Sequence, residues 1–389
     1  MPAATDELFL RRAIRLAMNG RGMVEPNPMV ACVLVRDGQV IGEGYHARFG
    51  GPHAEPSALA DCRERGNSPA GATAYVTLEP CCHTNKKTPP CAPRLIEAGV
   101  ARVVIGCLDP NPAVNGNGVA MLRAAGIEVT NGVCEGEAKQ LIEPFLRSVE
   151  HDSYLTLKWA QSADGKVAGP GGKRTQISGP ESSRLVHQLR ARSDAIVIGI
   201  GTALIDDPML TPRDVPLRRK PLRIVLDPQL RLPLTSKLVS TAKDWPTAVI
   251  HDECRTNSRH AEELRERGVA VHCSEHFGRR GQLEAFAALQ LIREELGVRD
   301  LFMEPGPTLA GSFLAVANRV WVFRSLTSMN DSTAPAAATI PAQLVPSGTI
   351  RVGDDELTEY RRPMIDAATD RPYAVSASAD LVLASSTPS

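Results

Sequence analysis

The chain has 389 residues, 44 basic and 44 acidic side chains, 43% hydrophobic residues and a formal net charge of zero. That length exceeds one ordinary hydrophobic core, so two domains are expected. The charge balance argues against a bulk nucleic-acid or membrane-surface binder, and no run of about 20 apolar residues is available to span a bilayer. Residues 1–6 lack the basic-then-apolar pattern of a secretion signal. Nine cysteines without such a signal read as reduced thiols and metal ligands, not a disulfide framework, and a cytoplasmic location is expected.

Residues 6–19 have helical spacing, with Leu8, Ile14 and Ala17 as candidates for the buried face. Asn27-Pro28 breaks the chain. Residues 30–35 then form an apolar strand, Asp37-Gly38 a turn, and residues 40–45 the hairpin partner. A helix runs through 57–65, with Pro56 tolerated in its first turn. Strands at 74–78, 103–107 and 127–129 alternate with helices at 93–98 and 119–125, a βαβ rhythm that predicts parallel pairing. Residues 137–149 are helix-like, and a break near residue 150 separates domains at 1–150 and 151–389. In the second domain, strands are expected at 154–159, 195–199, 222–226, 247–251, 269–272, 300–303 and 319–323. Helices are expected at 180–192, 259–267, 283–296 and from about Thr308. Residues 327–345, rich in Ser, Thr, Ala and Pro, read as a loop or disordered tract; 349–360 and 373–383 each suit a short strand.

His53-Ala54-Glu55, followed by Pro80-Cys81 and Cys91, carries the most chemical information. One imidazole and two thiolates suit zinc, and three protein ligands leave a fourth position for water, whose pKa the metal lowers. Glu55 is then free to take the water's proton and pass it to departing ammonia as an amino-heterocycle is deaminated. These residues fall at helix starts and strand ends, where open α/β sheets gather ligands. The competing reading is a structural zinc knuckle with Cys82 or His83 as fourth ligand, which gives Glu55 no task. Cys32, Cys62, Cys107, Cys134, Cys254 and Cys273 read as small apolar packing residues. Gly306-Pro307-Thr308 before a helix suits a phosphate; an ordinary loop is the alternative.

The blocks PNPMVACVLV (26–35), GYHARFGGPHAE (44–55), LEPCCHTNKKTPPC (78–91) and DPNPAVNGNG (109–118) resemble the deaminase half of the bifunctional riboflavin biosynthesis deaminase–reductases. The reductase half is resembled by TLKWAQSADGKVA (156–168), ISGPESSRLVHQLRARSDAIVIGIGTALIDDPMLTPR (177–213), LRIVLDPQLRLP (222–233) and MEPGPTLAGSFL (303–314). The Thr88-Pro89-Pro90-Cys91 ending of the cysteine segment, with Asp109-Pro110-Asn111-Pro112, separates this family from tRNA adenosine and cytidine deaminases.

The resemblance implies an α/β protein with an N-terminal cytidine-deaminase-like domain and a C-terminal dihydrofolate-reductase-like domain. It implies a bifunctional zinc hydrolase and NADPH-dependent oxidoreductase, with Zn2+ and NADPH as cofactors. The substrate would be 2,5-diamino-6-(5-phosphoribosylamino)pyrimidin-4(3H)-one, deaminated first; NADPH would then serve to open and reduce the ribosyl group to a ribityl chain. Asn27, His46, Ala54, Glu55, His83 and a lysine of the 86–87 pair, Lys87 for preference, would hold the pyrimidine, with Asp109 and Asn111 near the ribose phosphate. Ala160, Thr202, Asp206, Gly306, Pro307, Thr308, Leu309, Ala310, Gly311 and Ser312 would contact the dinucleotide. Arg190, Leu210, Arg213 and Glu304 would contact the reductase substrate, the arginines suiting its phosphate.

Plainer readings stand beside these. Asn27 and Asn111 suit turns next to proline, Lys86 and Lys87 suit solvated positions, Arg190 and Arg213 suit exposed charges, and Asp206-Asp207-Pro208 suits a turn. The chain also departs from the family pattern. Ala31 replaces a glycine, the Cys81–Cys91 loop is longer and carries Asn85-Lys86-Lys87, Pro305 replaces a small residue, Gln176 replaces a tryptophan, and Arg174 replaces a small polar residue. The expected partner is a small-molecule pyrimidine ribotide, without nucleic acid or membrane, and a homo-oligomer is expected. Two other functions remain open: a deaminase whose degenerate reductase half serves packing or oligomerisation, and a non-catalytic zinc-stabilised binding protein.

Overall fold

A computed structural model describes residues 2–82, 89–111, 114–149, 153–252, 258–274, 284–366 and 371–372. The chain divides into two compact units, Met1–His151 and Asp152–Ser389. No helix among the described residues is long and apolar enough to cross a membrane.

The first unit begins with α1 (Pro2–Ala17). Its inward face is Phe9, Leu10, Ala13 and Ala17, whereas Leu8 is 60% exposed. A step of about 100° per residue carries Leu8 off the stripe that Leu10 and Ala13 define, and Ile14 is half-buried. The strands β1 (Ala31–Arg36) and β2 (Gln39–Tyr45) form the expected antiparallel hairpin. After them come α2 (Ala54–Glu64), β3 (Thr73–Leu78), α3 (Cys91–Glu97), β4 (Arg102–Cys107), α4 (Asn117–Ala124) and β5 (Glu128–Asn131). The sheet order is β2-β1-β3-β4-β5, with β3, β4 and β5 parallel as the βαβ rhythm predicted. Strand β4 is buried on both faces, so Val103, Val104 and Ile105 run consecutively apolar. Helix α2 lies so close to β2 that a Cβ on Gly44 would sit 2.3 Å from the Ala58 nitrogen. Glycine there lets the helix start, with His53 and Glu55, press onto the sheet. The helix expected over 137–149 is two helices, α5 (Glu135–Leu141) and α6 (Glu143–Val149). Pro144 has no N–H to continue the ladder between them.

The second unit contains β6 (Tyr154–Gln161), α7 (Pro180–Arg192), β7 (Ala195–Gly199), α8 (Ile200–Asp206), β8 (Leu222–Leu226), α9 (Lys237–Ser240), β9 (Thr247–Asp252), α10 (Arg259–Glu266) and β10 (Val269–Ser274). It continues through α11 (Ala285–Leu296), β11 (Asp300–Met303), α12 (Pro307–Phe313), β12 (Arg319–Arg324), β13 (Val345–Val352) and β14 (Asp355–Arg361). The sheet order is β10-β9-β8-β7-β11-β6-β12-β14-β13, parallel from β10 to β12 and antiparallel at β14 and β13. Alternate residues fill the two faces: Ile196, Ile198, Val225 and Val249 pack on one side, and Leu155, Val197, Ile224 and Ile250 on the other.

The short helices α8 and α9 were not anticipated, being too brief to show helical periodicity. Residues 349–360, which suit a short strand, hold parts of two, β13 and β14, in a hairpin turned at Gly353, whose φ is 58°. The 327–345 tract is a loop, yet it is held in place: Val167 donates its N–H to the Pro335 carbonyl at 3.0 Å, and Ala334 and Leu344 are buried. The strand expected over 373–383 lies outside the described residues. Asp355, at the start of β14, accepts hydrogen bonds from the Gly179 N–H at 2.7 Å and the Ser182 hydroxyl at 2.6 Å. The C-terminal hairpin thereby caps α7 from across the fold, supplying the side-chain acceptor that Gly179 lacks.

In the first unit, Asp6 ties α1 to the sheet. Its carboxylate accepts two bonds from the Arg102 guanidinium at 2.8 Å each and one from the Tyr75 hydroxyl at 3.0 Å. The Arg102 hydrogen bond, working against burial, holds Asp6 below the usual carboxylate range. A depressed carboxyl contributes stability above its unfolded pKa and loses it as pH falls through the folded one. Asp6→Asn is therefore expected to destabilise this unit by about 1–3 kcal/mol at neutral pH, with the difference from wild type shrinking below about pH 4. Pulse proteolysis in urea measures it, with the fluorescence of Trp159, Trp245 and Trp321, all in the second unit, as internal reference.

Candidate active sites

In the first unit, His53 is the N-cap of α2, Glu55 its second residue, and Cys91 the first residue of α3. Unpaired N–H groups at helix starts favour anionic side chains, which suits a thiolate and a carboxylate. His53 Nδ1 lies 3.4 Å from Cys91 Sγ and 3.7 Å from Cys81 Sγ. The three donor atoms all fall within 4.8 Å of one another. A tetrahedral zinc with bonds of about 2.0 Å to nitrogen and 2.3 Å to sulfur needs N···S edges of about 3.5 Å, so the donor set fits the ion. The Cys91 N–H donates to Cys81 Sγ at 3.3 Å, which favours the thiolate. Among the described residues, Cys82 is not part of this donor group. Cys32, Cys62 and Cys107 are buried as expected, Cys134 and Cys273 are half-buried, and Cys254 lies outside the described residues.

Glu55 is 3% exposed. Burial first, then negative charge at Cys81, raises its carboxyl above the usual range. The Cys91 thiol is pushed up by its hydrogen bond to Cys81 and by burial. Two thiols and a carboxyl in one dry space favour their neutral forms until a cation joins them; a divalent ion is the group that lets the thiols ionise.

A cavity of about 350 Å³ gathers Asn27, His46, His53, Ala54, Glu55, Cys81, Asp109 and Asn111. His46 Nδ1 lies 2.8 Å from the Pro52 carbonyl, which only accepts, so Nδ1 carries the proton and Nε2 accepts from the Asn27 amide at 3.2 Å. Burial lowers the His46 pKa, keeping the ring neutral. Asp109 Oδ1 accepts from the Asn111 N–H at 2.9 Å, so Asp109 lines the cavity and also holds its own turn. Phe49 and Phe145, which sequence reasoning did not single out, add aromatic walls. His83, Lys86 and Lys87 lie outside the described residues.

The second unit holds a cavity of about 760 Å³, within the range of cofactor sites. Ala160, Thr202, Asp206, Arg190, Arg213 and Glu304 line it, as do Gly306, Pro307, Thr308, Leu309 and Ser312. Leu210, Ala310 and Gly311 are not among its walls. Leu210 packs into the core, Ala310 is buried on the inner side of α12, and Gly311 faces outward. Arg190 is not an exposed charge: its Nε and Nη2 meet the Glu304 carboxylate at 2.6 and 3.0 Å. Burial raises Glu304, but the Arg190 charge and hydrogen bonds outweigh it and hold the carboxyl below its usual value. Arg213 is exposed, with Nη2 donating to His187 Nε2 at 3.2 Å.

Lys158 was missed from the sequence. It lines this cavity with Nζ 5.5 Å from the centre of the Phe323 ring, and burial lowers its pKa. Its available signal was a lysine between Leu157 and Trp159 in an otherwise buried strand. Pro305, Gln176 and Arg174 also line the cavity. Gln176 Nε2 donates to the Ser178 carbonyl at 2.7 Å, and Arg174 Nε lies 3.7 Å from Asp206. These departures change the wall without closing the space.

A three-donor metal cluster with a buried glutamate on a β2-β1-β3-β4-β5 sheet, followed in the chain by a separate unit with a cofactor-sized cavity, defines a zinc deaminase joined to a nucleotide-dependent α/β enzyme. Residues 3–107 match the cytidine and deoxycytidylate deaminase zinc-binding region, and residues 153–318 match the RibD C-terminal domain. The riboflavin biosynthesis protein RibD of Aquifex aeolicus is 42% identical over 310 residues, 79% of this chain and 83% of that protein. RibD of Escherichia coli is 40% identical over 322 residues, covering 79% and 84% respectively. Two solved structures share the fold: Acinetobacter baumannii RibD, with TM-score 0.76, and a Thermotoga maritima diaminohydroxyphosphoribosylaminopyrimidine deaminase/5-amino-6-(5-phosphoribosylamino)uracil reductase, with TM-score 0.77. Each is 33% identical, and each match covers 93% of this chain and all of the other. The chain belongs to the RibD family of bifunctional, zinc- and NADPH-dependent riboflavin biosynthesis enzymes.

Removing the carboxylate while keeping its shape separates proton transfer from metal binding. Glu55→Gln is expected to retain zinc by metal analysis and to lose ammonia release by at least about 10²-fold.

Proposed function

We propose that the first unit deaminates 2,5-diamino-6-(5-phosphoribosylamino)pyrimidin-4(3H)-one and that the second reduces the ribosyl group of the product to a ribityl chain. The observation that carries the reading is the convergence of His53, Cys81 and Cys91 within one coordination distance, with Glu55 buried beside them. His53, Cys81 and Cys91 would hold zinc, which when bound would supply Lewis-acid activation of water near neutral pH. Glu55, raised by burial, accepts a proton from the attacking water and returns one to the amino group as ammonia leaves; a ring C–N bond is exchanged for C=O. Asn27 and neutral His46 orient the pyrimidine, and Asp109 and Asn111 face its ribose phosphate.

In the second unit, Ala160, Thr202, Asp206, Gly306, Pro307, Thr308, Leu309 and Ser312 form the dinucleotide side of the cavity. NADPH when bound supplies the hydride. Arg190 and Arg213 offer charge to the substrate phosphate, and the Glu304 carboxylate sets the direction of Arg190. Lys158 lines the same cavity, where a lysine ammonium can donate a proton as the sugar ring opens. The domains are 1–150 and 151–389, and the enzyme acts in the cytoplasm. We further propose a homo-oligomer. It is supported by β13, an outermost strand of the nine-stranded sheet, whose outer backbone edge pairs with no other strand among the described residues and could take a second copy.

One assay tests both activities. The diaminopyrimidinone ribotide is offered with and without NADPH while product mass and NADPH absorbance are followed. Exchange of an amino group for oxygen is expected without NADPH, and gain of two hydrogens with NADPH oxidation when it is present. Amino-group exchange without NADPH oxidation would limit the chain to deamination, and neither change would leave only zinc-stabilised binding.

A further inference from the structure

We infer that Glu79 is a positioning residue of the deaminase site, acting through the loop that carries Asp109 and Asn111. Glu79 is 3% exposed and stands at the C-terminal end of β3, two residues before Cys81. Its Oε2 accepts from the Asp109 N–H at 3.2 Å and the Gly116 N–H at 2.9 Å, and its Oε1 accepts from the Val119 N–H at 3.1 Å. One carboxylate thus ties both ends of the segment between β4 and α4 to the strand that leads into the metal site. Gly116, the N-cap of α4, makes no side-chain capping bond, so Glu79 caps the helix from 37 residues away.

The glycines make this approach feasible. Gly116 has φ 79°, and a Cβ on Gly118 would fall 2.2 Å from the Pro80 carbonyl oxygen and 3.0 Å from Glu79 Oε1. The backbone of Glu79 is itself fixed, its N–H donating to the Cys107 carbonyl at 3.0 Å. Glu79 also lines the cavity, but both its oxygens are taken up by the three N–H groups, so it serves the cavity by setting where Asp109 and Asn111 stand. His53, Cys81 and Glu55 are held by other contacts.

The inference rests on the deaminase reading of this unit. The test uses the full-length, zinc-loaded protein with the diaminopyrimidinone ribotide. Glu79→Gln presents one carbonyl oxygen and an NH₂ group to three donors. Its KM is expected to rise about tenfold or more, with kcat within about threefold, zinc content unchanged and NADPH-dependent reduction in the other unit unaffected. Combined with Asn111→Ala, the two KM effects should be strongly non-additive, because both act on one loop. Amide exchange at Gly116 and Val119 should accelerate in the Gln variant. Should that variant fail to accumulate, Val119→Pro removes one donor at the first-turn position that Pro56 occupies in α2, and should raise KM in the same direction. An unchanged KM with unchanged amide exchange would overturn the inference. So would a joint fall of zinc content and kcat, which would make Glu79 a support for Cys81 alone. Absence of ammonia release by the unsubstituted protein would defeat the deaminase reading instead, while amide exchange would still report on the Glu79 contacts.

Discussion

Two thiols, an imidazole and a carboxylate share one water-poor pocket in the first unit, and the thiols and the carboxylate can be charged together only around a cation. Cys91 and Glu55 are both pushed toward neutrality by burial and by their anionic neighbours. A divalent ion resolves that conflict, and the surrounding architecture serves to bring the donors to it. His53 and Cys91 come from the starts of two helices, Cys81 follows the end of a parallel strand, and Gly44 lets α2 press against the sheet. The same arrangement leaves Glu55 unliganded and buried, which separates a catalytic centre from a merely structural one.

The second unit solves a different problem with similar means. Cations line its cavity and are kept in place by partners. Arg190 is locked to Glu304 by two hydrogen bonds, and Lys158 sits against an aromatic ring at a lowered pKa. Asp355 joins the C-terminal hairpin to the start of α7, the helix that carries Arg190. The segment beyond residue 323 therefore contributes to the geometry of the cavity.

What was legible in the sequence was what local spacing determines. The His-x-Glu and Pro-Cys motifs, the first hairpin and the alternating strands all follow from near neighbours, and α7, β7 and β11 stand at the residues expected. Contacts between distant segments were not legible. The Asn27 amide bonds to His46, a choice between turn former and site residue that only the fold displays. Lys158 carried no signal in the sequence because its charged neighbours Arg190 and Glu304 come from other elements. Leu8 was misplaced because a helix face one residue off register reads almost as well. Leu210, Ala310 and Gly311 belong to cavity-forming segments, yet the cavity's wall does not include them.

The central claim is that His53, Cys81 and Cys91 hold a zinc ion with one position left for water. Zinc K-edge absorption on the purified protein tests it directly. The account predicts two sulfur neighbours at about 2.3 Å and two nitrogen or oxygen neighbours at about 2.0 Å, with one sulfur lost in a Cys91→Ser variant. A spectrum with three sulfurs and no oxygen neighbour, or one unchanged by that substitution, would contradict it.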